Sequence, residues 1–257
     1  MLGKPSVLIP IAPGTNRNDE LAQAFALAGA DPVQVPLHAL RQGEKKLRDV
    51  QLLALPGGFS YGDALGAGQL WAQDLTTWFA DQLHLALEKQ MPIVGICNGF
   101  QALTAAGLLP GGNRSGSLVA NQSGRFECRW VTLQPNQATN SVWLDGLTEP
   151  LRCPVAHGEG RYVSDEPVAG DATSVDRLDV AFRYATPDGE SAGGVYPHNP
   201  NGSAGDVAGV VDETGLILGL MPHPEDHVMA RQDPLRGRGA GGSCLPLFAN
   251  AVIAARQ

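Results

Sequence analysis

The stretch PIVGICNGFQ, residues 92–101, decides the fold. Its first half is an unbroken apolar run typical of a buried strand, and the residues after Cys97 begin a helical pattern. Gly95 and Gly99 flank the cysteine at −2 and +2, as in the sharp strand-to-helix turn called a nucleophile elbow, where a crowded backbone favours glycine. The start of a helix also favours the thiolate form of a cysteine. The stretch therefore predicts a reactive Cys97, with a small buried structural cysteine as the alternative.

Strand-like runs alternate with helical patterns around this stretch. Strands are predicted at residues 6–11, 32–37, 50–55 and 92–96, and helices at 18–30, 71–89 and 99–106. Strand, helix and strand in this order indicate a parallel sheet with helices on both faces. After about residue 118, runs such as 126–133 and 179–184 alternate with period two, which is typical of antiparallel or edge strands. We expect one α/β domain, residues 1–257, with a Rossmann-like, open, mostly parallel sheet and an added antiparallel portion.

The second half also contains a predicted hairpin and two predicted loops. Residues 207–211 and 216–221 flank a DETG turn and form the hairpin, and residues 245–255 form a closing helix. The acidic segment 165–176 reads as a surface loop. The Gly-rich segment 231–243 lacks apolar periodicity and is predicted to be a mobile loop.

The composition excludes several classes of protein. Among 257 residues, 43% are hydrophobic and 17% are charged, which excludes disorder over most of the chain. A net charge of −8 argues against nucleic-acid binding through overall charge. No apolar run approaches the ~20 residues of a membrane span, and no export signal is visible. The four cysteines lack C-x-x-C spacing, which disfavours a zinc ribbon. We expect a cytoplasmic protein with reduced thiols and no metal.

The segment MPHPE, residues 221–225, offers a general base. The prolines hold its backbone extended, so that His223 and Glu225 point to the same side. Glu225 can then accept a hydrogen bond from one imidazole nitrogen and fix the tautomer. Because this segment and Cys97 both follow apolar strands, the carboxyl edge of a parallel sheet would bring them together. Taken alone, the segment would be interpreted as a Pro-rich surface turn. Taken together with the cysteine elbow, it predicts a Cys97–His223–Glu225 triad.

A third segment, LPGGFSYGD at residues 55–63, supplies an oxyanion hole and a rival nucleophile. Backbone N–H groups of the Gly57-Gly58 turn, together with the Asn98 N–H just after the cysteine, can stabilise a tetrahedral intermediate. The same segment matches G-x-S-x-G, the serine-hydrolase elbow, at Ser60. The residues after Ser60 are a poor helix start, so a serine hydrolase using Ser60 and His223 is the second hypothesis.

The segment HGEG, residues 157–160, is a polar island that could hold a metal or a second acid–base pair. Its two possible ligands, His157 and Glu159, are too few to predict a metal site. Its role is left open.

These motifs resemble those of the class I glutamine amidotransferases, and within them the PurQ-type glutaminase subunits of phosphoribosylformylglycinamidine synthase. The resemblance covers nearly the whole chain and is carried most specifically by four stretches, GGFSYGD, GICNGFQ, HGEG and NPNGS. It implies glutamine hydrolysis at Cys97 assisted by His223 and Glu225, with Gly58 and Asn98 as the oxyanion donors. It also implies that Gln101, with the backbone near Arg125 and Phe126, lines the glutamine pocket.

The resemblance further implies the partners. Ammonia released from glutamine would pass to a PurL-like synthetase, with a PurS-like small subunit in the complex and a part in purine biosynthesis. ATP and magnesium would belong to the synthetase, so that this chain carries no cofactor of its own. A catalytically silent subunit that only regulates the synthetase is the remaining alternative, although every triad position is filled.

Overall fold

The computed structural model describes residues 3–44, 46–111, 115–164, 179–235 and 243–256. The predicted loop 165–176 and residues 236–242 of the predicted loop 231–243 lie outside these ranges. The helices and strands are β1 (Ser6–Ile11), α1 (Asn18–Leu27), β2 (Asp31–Pro36), α2 (Leu37–Arg41), β3 (Leu52–Leu55), α3 (Gln69–Thr77), α4 (Ala80–Glu88), β4 (Ile93–Ile96), α5 (Asn98–Ala105), β5 (Gly116–Val119), β6 (Glu127–Pro135), β7 (Leu151–His157), β8 (Arg161–Ser164), β9 (Val180–Ala185), β10 (Val207–Val211), β11 (Ile217–Leu220) and α6 (Leu245–Ala254).

Nine strands of the described ranges form one mixed sheet, in the order β2-β1-β3-β4-β11-β10-β9-β6-β7. The first five strands of this order, β2, β1, β3, β4 and β11, each run parallel to their neighbours among the five. Strands β10, β9, β6 and β7 extend the sheet in antiparallel fashion, beginning with the predicted hairpin of β10 and β11. The predicted Rossmann-like sheet with an antiparallel portion is therefore confirmed. Strands β5 and β8 pair separately.

The centre of the sheet is covered on both faces. Every residue of β3, β4 and β11 is buried, and successive side chains of a strand point to opposite faces. Helix α5 packs on these three strands and on α3, whereas α1 packs on β1, β2 and α6. Helices α1 and α6 meet through Phe25 and Phe248, whose ring centroids are 5.2 Å apart. The helices on both faces follow the prediction.

The single long helix predicted at residues 71–89 is wrong, because the structure has α3 and α4 in its place. The hydroxyls of Thr76 and Thr77 donate to backbone carbonyls one turn earlier, which favours bending over regular continuation. At the break, Trp78 turns outward under the Arg41 guanidinium, whose carbon lies 3.6 Å from the ring centroid, while Phe79 enters the core. None of the helices in the described ranges is long and apolar enough to cross a membrane.

The parallel strands place three loops at one edge of the sheet. Strand β3 leads into Gly57 and Gly58, β4 leads into Cys97, and β11 leads towards His223. Because β3, β4 and β11 are neighbours that run in the same direction, their carboxyl ends meet. These loops carry the residues that were predicted for the triad and the oxyanion hole.

Candidate active site

Cys97 lies on a sharp turn between β4 and α5. Its φ of 51° falls in the left-handed region that residues with side chains rarely adopt. A Cβ on Gly95 would lie 2.5 Å from the Gly99 carbonyl oxygen, and a Cβ on Gly99 would lie 2.2 Å from that of Leu55. Only glycine fits at either position, so the flanking glycines are required by the elbow that the sequence predicted.

His223 and Glu225 form a buried pair at the adjoining strand end. The extended backbone predicted for residues 221–225 is wrong beyond His223: Pro224–His227 forms a 3-10 turn, whose first position the fixed φ of proline also suits, and the two side chains meet across this turn. His223 Nδ1–H donates to Glu225 Oε1 over 2.7 Å, and their side chains are 3% and 0% exposed. The backbone N–H of His223 donates to the Pro154 carbonyl at 2.8 Å. A Cβ on Gly57 would lie 2.7 Å from His223 Cε1. The glycine therefore allows the imidazole to sit directly against the β3 loop.

The second nitrogen of His223 faces the cysteine. His223 Nε2 is buried without a conventional hydrogen-bond partner, yet it is close enough to interact with the Cys97 sulfur. Burial alone lowers the pKa of His223, but Glu225 and Cys97 together raise this pKa well above its ordinary value. Long catalytic hydrogen bonds are common in unliganded sites. Sulfur, imidazole and carboxylate thus lie in sequence at one edge of the sheet, and the charges of Glu225 and Cys97 favour a protonated imidazole.

Among the described residues, His223, Glu225 and Asp226 also form a group whose ligand-type atoms all lie within 4.8 Å of one another. Burial, followed by the charge of Glu225, raises the pKa of Asp226 to about 6. Within this group, the 2.7 Å bond joins the His223 imidazole to Glu225.

Asn98 joins the two loops that would supply oxyanion donors. Its Oδ1 accepts from the Ser60 N–H at 3.0 Å, and its Nδ2 donates to Gln101 Oε1 at 3.0 Å. Gly58 has a φ of 142°, and a Cβ there would lie 2.8 Å from the Asn16 nitrogen. The Ser60–Asn98 bond therefore holds the loop that carries Gly58 against the start of α5.

Ser60 lacks the geometry of a nucleophile. It begins a short 3-10 segment, Ser60–Asp63, rather than a helix that follows an elbow. Its hydroxyl is buried and finds no hydrogen-bond partner among the described residues. Positive φ angles near Ser60 fall on Tyr61 and Asp63 and not on Ser60 itself, whereas in the other motif Cys97 itself has the positive φ. The serine-hydrolase hypothesis has no support from this geometry.

The three residues expected to line the glutamine pocket differ in burial. Gln101 is buried, and its Nε2 donates to the Glu159 carbonyl at 2.6 Å. Phe126 is 53% exposed, with its ring centroid 6.4 Å from that of Phe59, the residue after Gly58. Arg125 is exposed as well. Gln101 thus lies inside the protein beside Asn98, and Phe126 lies beside the loop that carries Gly58. That these residues line a glutamine pocket stays a prediction.

Sequence reasoning missed how close His157 lies to the triad. His157 ends β7, a strand that was not predicted because Pro154 interrupts its alternation; β7 is an edge strand, where proline is tolerated. Burial, and then the charge of His223, lowers the pKa of His157 to about 4. The HGEG motif was the available signal. Nothing in the pattern indicated Asn121, whose Oδ1 lies 3.1 Å from His157 Nδ1.

The chain is similar to known amidotransferases over almost its whole length. A model of the CobB/CobQ-like glutamine amidotransferase domain matches residues 4–253. The phosphoribosylformylglycinamidine synthase subunit PurQ of Treponema denticola is 43% identical over 246 residues, covering 89% of this chain and 90% of that protein. The same-named subunit of Dehalococcoides mccartyi is 40% identical over 262 residues and all of both chains.

A solved structure has the same fold. A chain of the PurLQS structure from Thermotoga maritima superposes with a TM-score of 0.73, at 32% identity and over 98% of both chains. A matching family model and relatives of this similarity agree with the elbow, the buried histidine–glutamate pair and the sheet. The chain therefore belongs to the CobB/CobQ-like glutamine amidotransferase family.

Proposed function

We infer that this chain is the glutaminase subunit of phosphoribosylformylglycinamidine synthase and acts in purine biosynthesis. It hydrolyses glutamine to glutamate and supplies the ammonia to a synthetase partner. The observation that carries this function in the chain itself is the buried line from Cys97 through His223 to Glu225 at the carboxyl edge of the sheet. The family and the PurQ relatives supply the substrate class and the pathway.

We propose that Cys97 is the nucleophile. Its thiolate attacks the side-chain amide carbon of glutamine, and His223 protonates the departing nitrogen, so that ammonia leaves and a γ-glutamyl thioester remains. His223 then takes a proton from water, which attacks the thioester, releases glutamate and regenerates the thiol. Glu225 holds the imidazole in the required tautomer and stabilises its cation.

We propose that the backbone N–H groups of Gly58 and Asn98 form the oxyanion hole. The Ser60–Asn98 hydrogen bond supports this assignment because it fixes one donor loop relative to the other. We further propose that Gln101 and the backbone near Arg125 and Phe126 line the glutamine pocket. Each removed oxyanion donor costs about 2.7–4 kcal/mol of transition-state stabilisation in a comparable enzyme.

We propose a PurL-type synthetase as the partner, because the similar T. maritima chain belongs to a PurLQS structure. A PurS-type small subunit would complete the complex. ATP and magnesium would be bound by the synthetase, with no cofactor on this chain. A cytoplasmic location accords with four free cysteines.

The direct test is glutamate release from glutamine, measured with and without the synthetase. We expect slow release by the isolated chain and strong stimulation in the complex, since partner docking would complete the oxyanion hole. A thiol-reactive glutamine analogue should label Cys97. Absence of glutamate release even in the complex would support a silent regulatory subunit, and labelling at Ser60 would support a serine hydrolase.

A further inference from the structure

His157 lies beside the catalytic line without a place in it. Strand β7 contacts the site through the carbonyl groups of Pro154 and Ala156, two residues apart. The Pro154 carbonyl accepts from the His223 N–H at 2.8 Å, and the Ala156 carbonyl oxygen lies 3.7 Å from the Cys97 sulfur. His157 is the next residue and is 2% exposed. The strand therefore brings a second imidazole to the site.

The hydrogen bonds of Asn121 determine which nitrogen of His157 carries the proton. Asn121 Nδ2 donates to the carbonyls of Arg125 and His157 at 2.8 and 2.7 Å, which fixes the orientation of the amide. Its Oδ1, an acceptor only, receives the Gly160 N–H at 3.0 Å and lies 3.1 Å from His157 Nδ1. Nδ1 must therefore be the protonated nitrogen, and Nε2 carries the lone pair.

The lone pair on Nε2 has no donor. Nε2 is buried and lacks a hydrogen-bond partner among the described residues. An unpaired buried acceptor costs free energy, and such a group calls for an explanation. Burial and the nearby charge of His223 keep the ring neutral, because they lower the pKa of His157 to about 4. The site thus contains a permanent acceptor within the electrostatic reach of the general acid.

Only one of the reacting atoms, the carboxamide nitrogen of glutamine, can donate a hydrogen bond to His157 Nε2. The thiolate and the scissile carbonyl have no hydrogen to donate, whereas the carboxamide nitrogen of glutamine carries two. In the tetrahedral intermediate that nitrogen also has a lone pair, which must point at the proton on His223 before ammonia can leave. A hydrogen bond from one N–H to a fixed acceptor would orient this lone pair.

We propose that His157 Nε2 accepts a hydrogen bond from the departing nitrogen of glutamine and thereby directs that nitrogen's lone pair towards His223. This role rests on the proposed function and adds His157, held by Asn121, to the residues that touch the substrate. It assigns a task to the HGEG motif, because Gly160 provides the space for the ring: a Cβ on Gly160 would lie 2.3 Å from His157 Nδ1.

The test compares two substrates that form the same thioester. Glutamine releases ammonia, whereas the γ-methyl ester of glutamate releases methanol and has no N–H at the departing atom. Glutamate release is measured with the assembled synthetase complex as kcat/KM, which reports the steps up to thioester formation. The variants are His157→Phe, which keeps a flat ring without an acceptor, and His157→Gln, which keeps an acceptor oxygen. His84→Ala, at an exposed position on α4, is the control.

We expect His157→Phe to lower kcat/KM for glutamine by about 10- to 100-fold, the effect of one lost hydrogen bond in the transition state, and to change the ester value by less than about 3-fold. His157→Gln should recover part of the glutamine loss, and His84→Ala should leave both values unchanged. If His157→Phe does not fold and neither substrate reacts, His157→Leu is assayed in its place. The criterion stays the same, a loss with glutamine that is absent with the ester.

Equal losses with both substrates, or no loss with glutamine, would overturn this inference while leaving the proposed function in place. A wild-type complex that releases no glutamate from either substrate would overturn the proposed function and this inference with it.

Discussion

Gly99 packs so closely on Leu55 that a Cβ on the glycine would lie 2.2 Å from the leucine carbonyl oxygen. This contact joins the first turn of α5 to the end of β3. It therefore fixes the distance between the Cys97 elbow and the loop that carries Gly58. Catalytic geometry and core packing depend on the same backbone contact.

Gly99→Ala should destabilise the protein by about 1–3 kcal/mol or more, because the added methyl group forces β3 and α5 apart. Chemical denaturation gives the free energy of unfolding. Gly158→Ala is the matched control, since its Cβ would meet nothing closer than Phe126 Cδ2 at 3.9 Å. We expect the control to change the free energy of unfolding by less than about 0.5 kcal/mol. Equal stability of the two variants would contradict the close packing described for the elbow.

Much of the site could be predicted because local sequence determines it. The glycines at −2 and +2 around Cys97 reflect backbone clashes, and the His223–Glu225 pair joins residues only two apart, although through a 3-10 turn and not through the predicted extended backbone. Both leave marks in the sequence. The partners of His157 do not, since Asn121 lies 36 residues away along the chain and meets it only through tertiary packing. The break at Trp78 was missed because apolar spacing records neither the Thr76 and Thr77 hydroxyl bonds nor the stacking of Arg41 on Trp78.

Glu225→Gln should lower kcat/KM for glutamine by about 10²- to 10⁴-fold in the complex, as loss of the carboxylate does in other triads. The carboxylate raises the pKa of His223, so its removal favours the neutral imidazole, which has no proton to give to the departing nitrogen. The rate of Cys97 alkylation by iodoacetamide at pH 6–7 should fall as well. Glu88→Gln on the exposed side of α4 serves as the control. Full activity of the Glu225 variant would remove the carboxylate from the proposed mechanism.

Acid should destabilise the protein partly through His157. Its pKa is about 4 in the folded state, below the ~6.5 of an exposed imidazole, so the unfolded chain binds the extra proton between these values. The stabilisation is fully present above pH 6.5 and is lost as the pH falls towards 4, by at most about 3 kcal/mol. Free energies of unfolding for wild type and His157→Gln, measured from pH 7 to pH 4, should converge as the pH falls. Parallel curves would show that His157 does not titrate in this way.

The central claim, that Cys97 releases ammonia for a partner enzyme, is tested most directly by assaying the reconstituted synthetase complex with glutamine and with ammonium as the nitrogen source. With Cys97→Ala we expect glutamine-dependent synthesis to disappear and ammonium-dependent synthesis to stay within about twofold of wild type, since the synthetase site is intact. Ser60→Ala should retain both activities. Glutamine-dependent synthesis that survives in Cys97→Ala, or disappears in Ser60→Ala alone, would contradict the account.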